Sequence, residues 1–282
     1  MKSWILRHLF LASLLLVMLS SKHLAQPLFN NIFPPEEFAT RRVKVLDQIG
    51  NGVAILQGTT ERPGEQPFRQ SNHFFYLCGV AEPRAILVLD GKTRRSTLYL
   101  YGGAERRERM FGSAMVPGDG AAKLTGIESV LPREEFAKAL GDFAREGRTL
   151  YTPFRPEVLG NASSSDVVGL AKATKDDPWD GRPSREEVFT QKLKGLGAQV
   201  NVQNLDPILD GLRAFKSTRE IDIIREATRI TGLGIMEAMR DARPGMFEYE
   251  LQADAEYVFK KHGSQGAAYF ALIATGQNTL YS

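Results

Sequence analysis

The sequence predicts an α/β domain followed by a shorter unit of different pattern. Three observations carry this reading. Short apolar runs alternate with helix-periodic segments through the first two thirds of the chain, as in a sheet covered by helices. At Ser217 the alternation gives way to two long amphipathic segments and a single apolar run. A hydrophobic share of 43% over 282 residues is enough for a buried core, in one large domain or two ordinary ones.

The elements follow in order. Pro34 to Ile49 has the marks of a helix: Pro34-Pro35 at the start, Glu36 and Glu37 in the first turn, and Phe38, Val43, Leu46 and Ile49 as the inward positions. Gly50-Asn51-Gly52 ends it. Val53–Leu56, Ala85–Leu89 and Ser96–Tyr101 are expected to be strands, the last two joined by a hairpin-like turn at Asp90-Gly91-Lys92. The aromatic run Phe74-Phe75-Tyr76 also suits a strand. Pro132–Phe143 is expected to be helical with Phe136, Leu140 and Phe143 inward, and Leu150-Tyr151 a strand. Lys172–Pro183 is polar and turn-rich. Its carboxylates Asp176, Asp177 and Asp180 mark a solvated loop rather than a metal site, with no histidine nearby. Arg185–Leu196 suits a helix, Val200–Val202 a strand and Leu205–Phe215 a helical connector.

Ser217-Thr218-Arg219-Glu220 is a capping box. The long helix expected after it carries Ile221, Ile224, Ala227, Ile235 and Met239 at helical spacing, and Arg243-Pro244-Gly245 breaks it. Phe247–His262 is a second helix with Leu251, Ala255, Val258 and Phe259 inward. An apolar strand, Ala267–Ile273, then runs into a Gly276-Gln277-Asn278 turn, and no return strand follows it before Ser282. The expected boundary lies near Phe215, giving units at residues 34–215 and 216–282, the second incomplete.

The net charge of +3 comes from the N-terminus. Lys2, Arg7 and Lys22 stand there without an acidic partner, and 36 − 3 leaves 33 basic against 33 acidic residues. A neutral remainder gives no electrostatic reason to expect nucleic acid. Lys2 and Arg7, the apolar run Leu9–Leu19 and the small residues Ser20, Ser21 and Ala25 form the pattern of a secretory signal peptide over residues 1–25. The apolar run is shorter than the roughly 20 residues that span a bilayer. A secreted or periplasmic location follows; an uncleaved anchor is the alternative.

The chemistry of hydrolases and cofactor enzymes is sparse. Cys78, the one cysteine, sits in an apolar run without a nearby Lys or Arg and suits a buried, inert thiol. The histidines are His8, His23, His73 and His262. No zinc-binding His-Glu-x-x-His, Gly-x-Ser-x-Gly elbow, Walker loop or dinucleotide fingerprint occurs. His262, ahead of Gly263, suits a cationic helix cap; His73 either lines a pocket or sits at a turn or strand edge. No catalytic, cofactor-binding or metal-ligating residue is assigned.

Five stretches resemble the aminopeptidase P branch of the pita-bread metallopeptidases. They are Arg41-Arg42 with Leu46; Phe68-Arg69-Gln70 through Phe74, Tyr76, Gly79 and Glu82-Pro83; Lys216-Ser217-Thr218-Arg219-Glu220-Ile221 through Arg225 and Ala227; Arg243-Pro244-Gly245-Met246-Phe247-Glu248; and Gly276-Gln277-Asn278. The resemblance implies a creatinase/aminopeptidase P-type N-terminal α/β domain followed by an incomplete α+β pita-bread domain. It implies an exported Xaa-Pro aminopeptidase acting on proline-containing peptides and working as a homo-oligomer. Hydrolysis of the N-terminal Xaa-Pro bond would use two divalent metal ions, expected to be Mn²⁺. By family spacing the first catalytic histidine falls just past Ser282, so the chain is expected to lack the catalytic ligands, to bind no metal and to be inactive alone. A prolidase cleaving Xaa-Pro dipeptides and a non-catalytic creatinase-like oligomerisation module are the alternatives. The resemblance also lets Phe68-Arg69-Gln70 wall a substrate cleft; the competing reading makes Arg69 a loop anchor and the following aromatics core.

Overall fold

The computed structural model describes residues 32–60, 68–101, 115–158, 162–268 and 271–280. The expected signal peptide, residues 1–25, lies outside them. Among the described residues no helix is long and apolar enough to cross a membrane.

Helix α1 spans Pro35–Ile49, with a proline at its start, Glu36 and Glu37 in its first turn and Gly50 in a positive-φ conformation (55°) at its end. Its buried face is Phe38, Arg41, Arg42, Val45, Leu46 and Ile49, the i, i+3, i+4 spacing of an amphipathic helix. Val43, expected inward, is exposed. Two arginines occupy rows that apolar residues normally fill, and this shifts the real stripe away from the one that apolar residues alone trace.

Strands β1 (Val53–Gln57), β2 (Ile86–Asp90), β3 (Arg95–Leu100), β4 (Ser129–Pro132), β5 (Leu150–Thr152) and β6 (Val202–Asn204) form one sheet in the order β4-β3-β2-β1-β5-β6. Strand β2 runs antiparallel to both neighbours, while β1, β5 and β6 are mutually parallel and β3 is parallel to β4. Four consecutive residues of β1 and of β2 are buried, because helices cover both faces. On one face Ala54, Leu56, Leu87, Leu89 and Leu98 pack with α1 and with α2 (Asn72–Cys78), α3 (Asp119–Thr125) and α7 (Asp206–Ala214). On the other, Val53, Ile55, Val88 and Tyr99 pack with Phe136 of α4 (Phe136–Arg145) and Phe189 and Leu193 of α6 (Arg185–Lys194).

Several expectations are corrected here. Phe74–Tyr76 lies in helix α2, not a strand. The run is closed by Gly79 in the left-handed region (φ 66°), whose N–H is bonded to Phe75 O at 2.8 Å. A Cβ there would stand 2.5 Å from the Phe38 ring. Lys172–Asp176 is not loop but the last turn of α5 (Ser164–Asp176), started by a complete capping box on Ser163 and Asp166; irregular chain begins at Asp177. Strand β6 lies two residues later than expected, and β4 and α3 were not anticipated. Of the expected strand Ala267–Ile273, the described residues form none: 267–268 and 271–275 carry no strand, Tyr269 and Phe270 lie outside the described residues, and Gly276–Leu280 is a 3₁₀ turn.

The capping box at Ser217–Glu220 starts helix α8 (Thr218–Asp241), which turns back through Arg243–Phe247 into α9 (Glu248–Lys261). The two cross closely at Gly234, where a Cβ would stand 2.4 Å from the Phe259 ring. Ala255 and Val258 are buried, whereas Ile224, Ile235 and Met239 of α8 are exposed.

Arg42 ties the first helix to three other elements. It is 2% exposed and donates to Ser96 Oγ (3.2 Å) on β3, Leu77 O (3.1 Å) on α2 and Gly126 O (2.5 Å) at the end of α3. Replacing it removes two buried bonds and one part-buried bond and leaves a void. Arg42→Ala is expected to lower the unfolding free energy by roughly 2–4 kcal/mol, read as a reduced urea midpoint at unchanged slope. An unaltered midpoint would show that these bonds do not hold the four elements together.

Candidate functional site

A cavity of about 200 Å³ opens at the carboxyl ends of the parallel strands β1 and β5. This is where α/β sheets generally hold ligands, because the chain leaves the sheet there in opposite directions and opens a crevice. Leu56 and Gln57 end β1, Thr152 ends β5, and Ser71, Asn72 and His73 arrive from the start of α2. Arg155, Arg185 and Arg213 bring cationic groups, Glu157 and Glu186 anionic ones.

His73 stands beside Arg213 and Asp206 of α7. Its Nδ1 is 3.2 Å from Arg213 Nη1 and its Nε2 is 3.7 Å from Asp206 Oδ1. A guanidinium only donates, so Nδ1 accepts and the ring proton resides on Nε2, facing the carboxylate. Burial pushes the His73 pKa down to about 4, aided by Arg213 and Arg155 and opposed by Asp210. Burial likewise raises the pKa of Asp206, although its Oδ2 accepts from Phe154 N (3.0 Å) and Arg155 N (2.8 Å). Asp206 Oδ1 is buried without a hydrogen bond. His73 is thus a half-buried, neutral imidazole that lies both at the start of α2 and on the cavity wall.

The neighbouring arginine joins the sheet domain to α8. Arg41 is bonded to Glu37 (2.8 Å) and paired with Glu220 (3.2 Å), and Arg41 Nη1 donates to Tyr76 O (3.1 Å). Its guanidinium carbon lies 4.3, 5.2 and 5.4 Å from the ring centres of Tyr76, Phe33 and Phe38. Glu37 also accepts from Ser217 Oγ (2.6 Å), the hydroxyl that caps α8. Glu37 and Ser217 are 180 residues apart in the chain, and with Arg41 and Glu220 they make the first helix and the capping box one contact.

Gln70, named in the sequence with Phe68 and Arg69 as a candidate cleft wall, does not line the cavity but forms four hydrogen bonds beside α2. Its Oε1 accepts from Thr59 N (2.6 Å) and Ser71 N (2.9 Å), and its Nε2 donates to Val80 O (3.3 Å) and Glu82 O (2.9 Å). All four bonds an amide side chain can readily form are made. Gln70 thus holds the segments that enter and leave α2, while Arg69 is exposed. Phe74 is fully buried, as the core reading of the aromatics requires. Cys78 is buried, its thiol donating to Phe74 O, and burial pushes its pKa up to about 12; it is an inert thiol. The fourth and fifth stretches also meet: Glu248 Oε1 accepts from Thr275 N and Asn278 Nδ2, both at 2.8 Å.

Among the described residues no three His, Cys, Asp or Glu side chains group so as to hold a metal ion. The described residues therefore do not fit a dinuclear metal centre, and no step of metal chemistry is assigned to them.

Comparison with known proteins places these contacts in a family context. Residues 38–151 match the aminopeptidase P, N-terminal domain, and residues 222–282 match metallopeptidase family M24. The Xaa-Pro aminopeptidase of Escherichia coli is 27% identical over 251 residues, covering 86% of this chain and 53% of that protein. The human Xaa-Pro dipeptidase is 27% identical over 259 residues, covering 86% of this chain and 46% of that protein. The solved structure of Pseudomonas aeruginosa aminopeptidase PepP superposes with a TM-score of 0.62 at 26% identity, over 87% of this chain and 53% of that one. The chain spans about half the length of the curated relatives it matches.

The His73 environment sets a pH dependence. The imidazole is free to bind a proton near pH 6.5 when unfolded but only near pH 4 when folded. The unfolded state therefore holds more protons between these values, and the contribution is full above pH 6.5 and lost as pH falls toward 4. The loss should reach about 3 kcal/mol. Comparing the pH profile of unfolding with that of His73→Gln isolates it from Asp206. A His73 resonance titrating near 6.5 in the folded protein would contradict the assignment.

Proposed function

We propose that this aminopeptidase P-like chain, an N-terminal aminopeptidase P domain joined to M24 metallopeptidase sequence, forms part of an exported Xaa-Pro aminopeptidase. The observation that carries the reading is the succession of both family matches along one chain whose alignment with the Escherichia coli Xaa-Pro aminopeptidase covers 86% of it. The boundary between the two units is placed near Phe215, an exposed, extended residue between α7 and α8. The reaction is hydrolysis of the N-terminal Xaa-Pro bond of a peptide. Two divalent ions, Mn²⁺ in this reading, supply water activation and carbonyl polarisation when bound. The residues described here build the support: Arg41, Glu37, Ser217 and Glu220 fix α8 against the sheet domain, and Glu248 fixes the Gly276–Asn278 turn. A homo-oligomer is part of the same proposal.

Dipeptide hydrolysis is the second reading, since the human Xaa-Pro dipeptidase is as similar in sequence as the Escherichia coli aminopeptidase. The protein encoded by the full reading frame, with Mn²⁺, should cleave Xaa-Pro-Yaa tripeptides and lose activity to a chelator; cleavage confined to Xaa-Pro dipeptides would favour the dipeptidase. On the same proposal, the 282-residue chain alone should show no turnover of either substrate with Mn²⁺, Co²⁺ or Zn²⁺. Chelator-sensitive cleavage by the clean chain would defeat that expectation.

Export rests on the charged and apolar pattern of residues 1–25. Protein made in a Sec-competent bacterium should lose roughly its first 20–25 residues, as intact mass will show. A full-length species confined to the cytosol would refute export.

A further inference from the structure

Trp179 is 96% exposed, more than any other large apolar side chain among the described residues. The turn that carries it, between α5 and α6, is nevertheless fixed. Asp177 Oδ1 accepts from Trp179 N at 2.8 Å, and Asp177 O accepts from Asp180 N at 3.3 Å. Arg182 grips both carboxylate oxygens of Asp180, and Gly181 turns the chain with φ 64°. A tryptophan presented on a fixed turn gives up little freedom when it enters a pocket, and a ring of that size carries much of an interface.

A receptor for that ring lies beside the same turn. Helices α5 and α6 leave a groove of about 520 Å³ between them, and the exposure of Trp179 shows that its own ring does not fill it. Phe154, Pro156 and Ala171 give the groove apolar wall, and Val168, 45% exposed, continues that face of α5 one turn back. Ser184 and Gln191 offer acceptors for an indole N–H. The charges are complementary as well. Lys172 and Lys175 are paired with Asp176 and Glu187, but Lys194 on the groove has no acidic partner among the described residues. Asp177, beside Trp179, has no cationic partner among them. We infer that the chain forms a two-fold dimer in which Trp179 of each copy enters the α5–α6 groove of the other and Asp177 meets the partner's Lys194. Projection and groove adjoin, since Asp176 lines the groove and Trp179 follows three residues later, so one axis beside the turn makes both contacts at once. The inference rests on the homo-oligomer of the proposed function and names a contact for it; no peptidase property enters.

Trp4 and Trp179 are the two tryptophans of the chain, so Trp4→Phe leaves Trp179 as a direct optical report. Sedimentation velocity on this 282-residue variant across a dilution series should show monomer passing to dimer. In step with the mass, Trp179 emission should move to shorter wavelength and lose its quenching by iodide. Ala171→Glu, which fills the groove, should weaken the dimer at least about tenfold, and Lys194→Glu by about threefold or more. Trp179→Ala, read by mass, should match Ala171→Glu; its exposed ring supports no contact of the monomer, so the test stands even where the groove variant fails to fold. A chain monomeric at every concentration would overturn the proposal, because another molecule would then have to take Trp179. Emission that stays open to iodide while the mass rises would overturn it too. Assembly unchanged in Trp179→Ala would leave the homo-oligomer standing on another surface and remove this contact.

Discussion

A single buried guanidinium organises the sheet domain. Arg42 sits where an amphipathic helix would ordinarily place leucine, and its three donors reach β3, α2 and the end of α3. Burial lowers its pKa, the signature of a charge that has lost water. Hydrogen bonds to two carbonyls and a hydroxyl replace that water, so the charge fixes direction as well as distance. A leucine could fill the space, but it could not dictate which carbonyls approach. The same side of α1 receives the end of α2, where Gly79 lies against the Phe38 ring.

Arg41, one residue earlier, points about a quarter-turn away and does a different task. Its pairing with Glu37 and Glu220 links the cap of α8 to the first helix, and the rings of Phe33, Phe38 and Tyr76 shield it. Ion pairs held away from water and stacked on aromatic faces are screened less than surface pairs. This gives the junction a defined geometry in place of a loose tether. Tyr76 extends the contact, its hydroxyl donating to Leu212 O at the end of α7. The same helix α7 supplies Asp206 and Arg213 to the cavity wall. The junction and the cavity therefore share one element, and His73 lies between them.

The family resemblance gains a physical content from these contacts. Stretches far apart in sequence pair in space: Arg41 with Glu220, and Glu248 with the Thr275–Asn278 turn. The second stretch is internally closed by Gln70, which bonds the chain before and after α2. Each holds a backbone segment in place, and none presents a catalytic group among the described residues.

The sequence by itself determined the alternation of strands and helices, the hairpin at Asp90–Lys92, the capping box of α8 and the inertness of Cys78. Each of these rests on local chemistry: periodicity, turn residues, a side chain three positions from its cap, a thiol in an apolar run with no Lys or Arg close to it in sequence. Tertiary structure decided the rest. Phe74–Tyr76 has strand propensity, yet Gly79, Gln70 and the packing against α1 make it helical. Ala271–Thr275 is apolar enough for a strand, but a strand forms only with a partner, and none lies beside it among the described residues. The burial of Arg41 and Arg42 comes from α2, β3 and the cap of α8 closing over them. The cavity is the clearest case: His73, Glu186 and Arg213 are distant in sequence, and only the parallel pairing of β1 with β5 brings the loops and helices that carry them to one sheet edge. Local sequence sets what each segment prefers, but which charges end up buried together depends on contacts between residues more than a hundred positions apart.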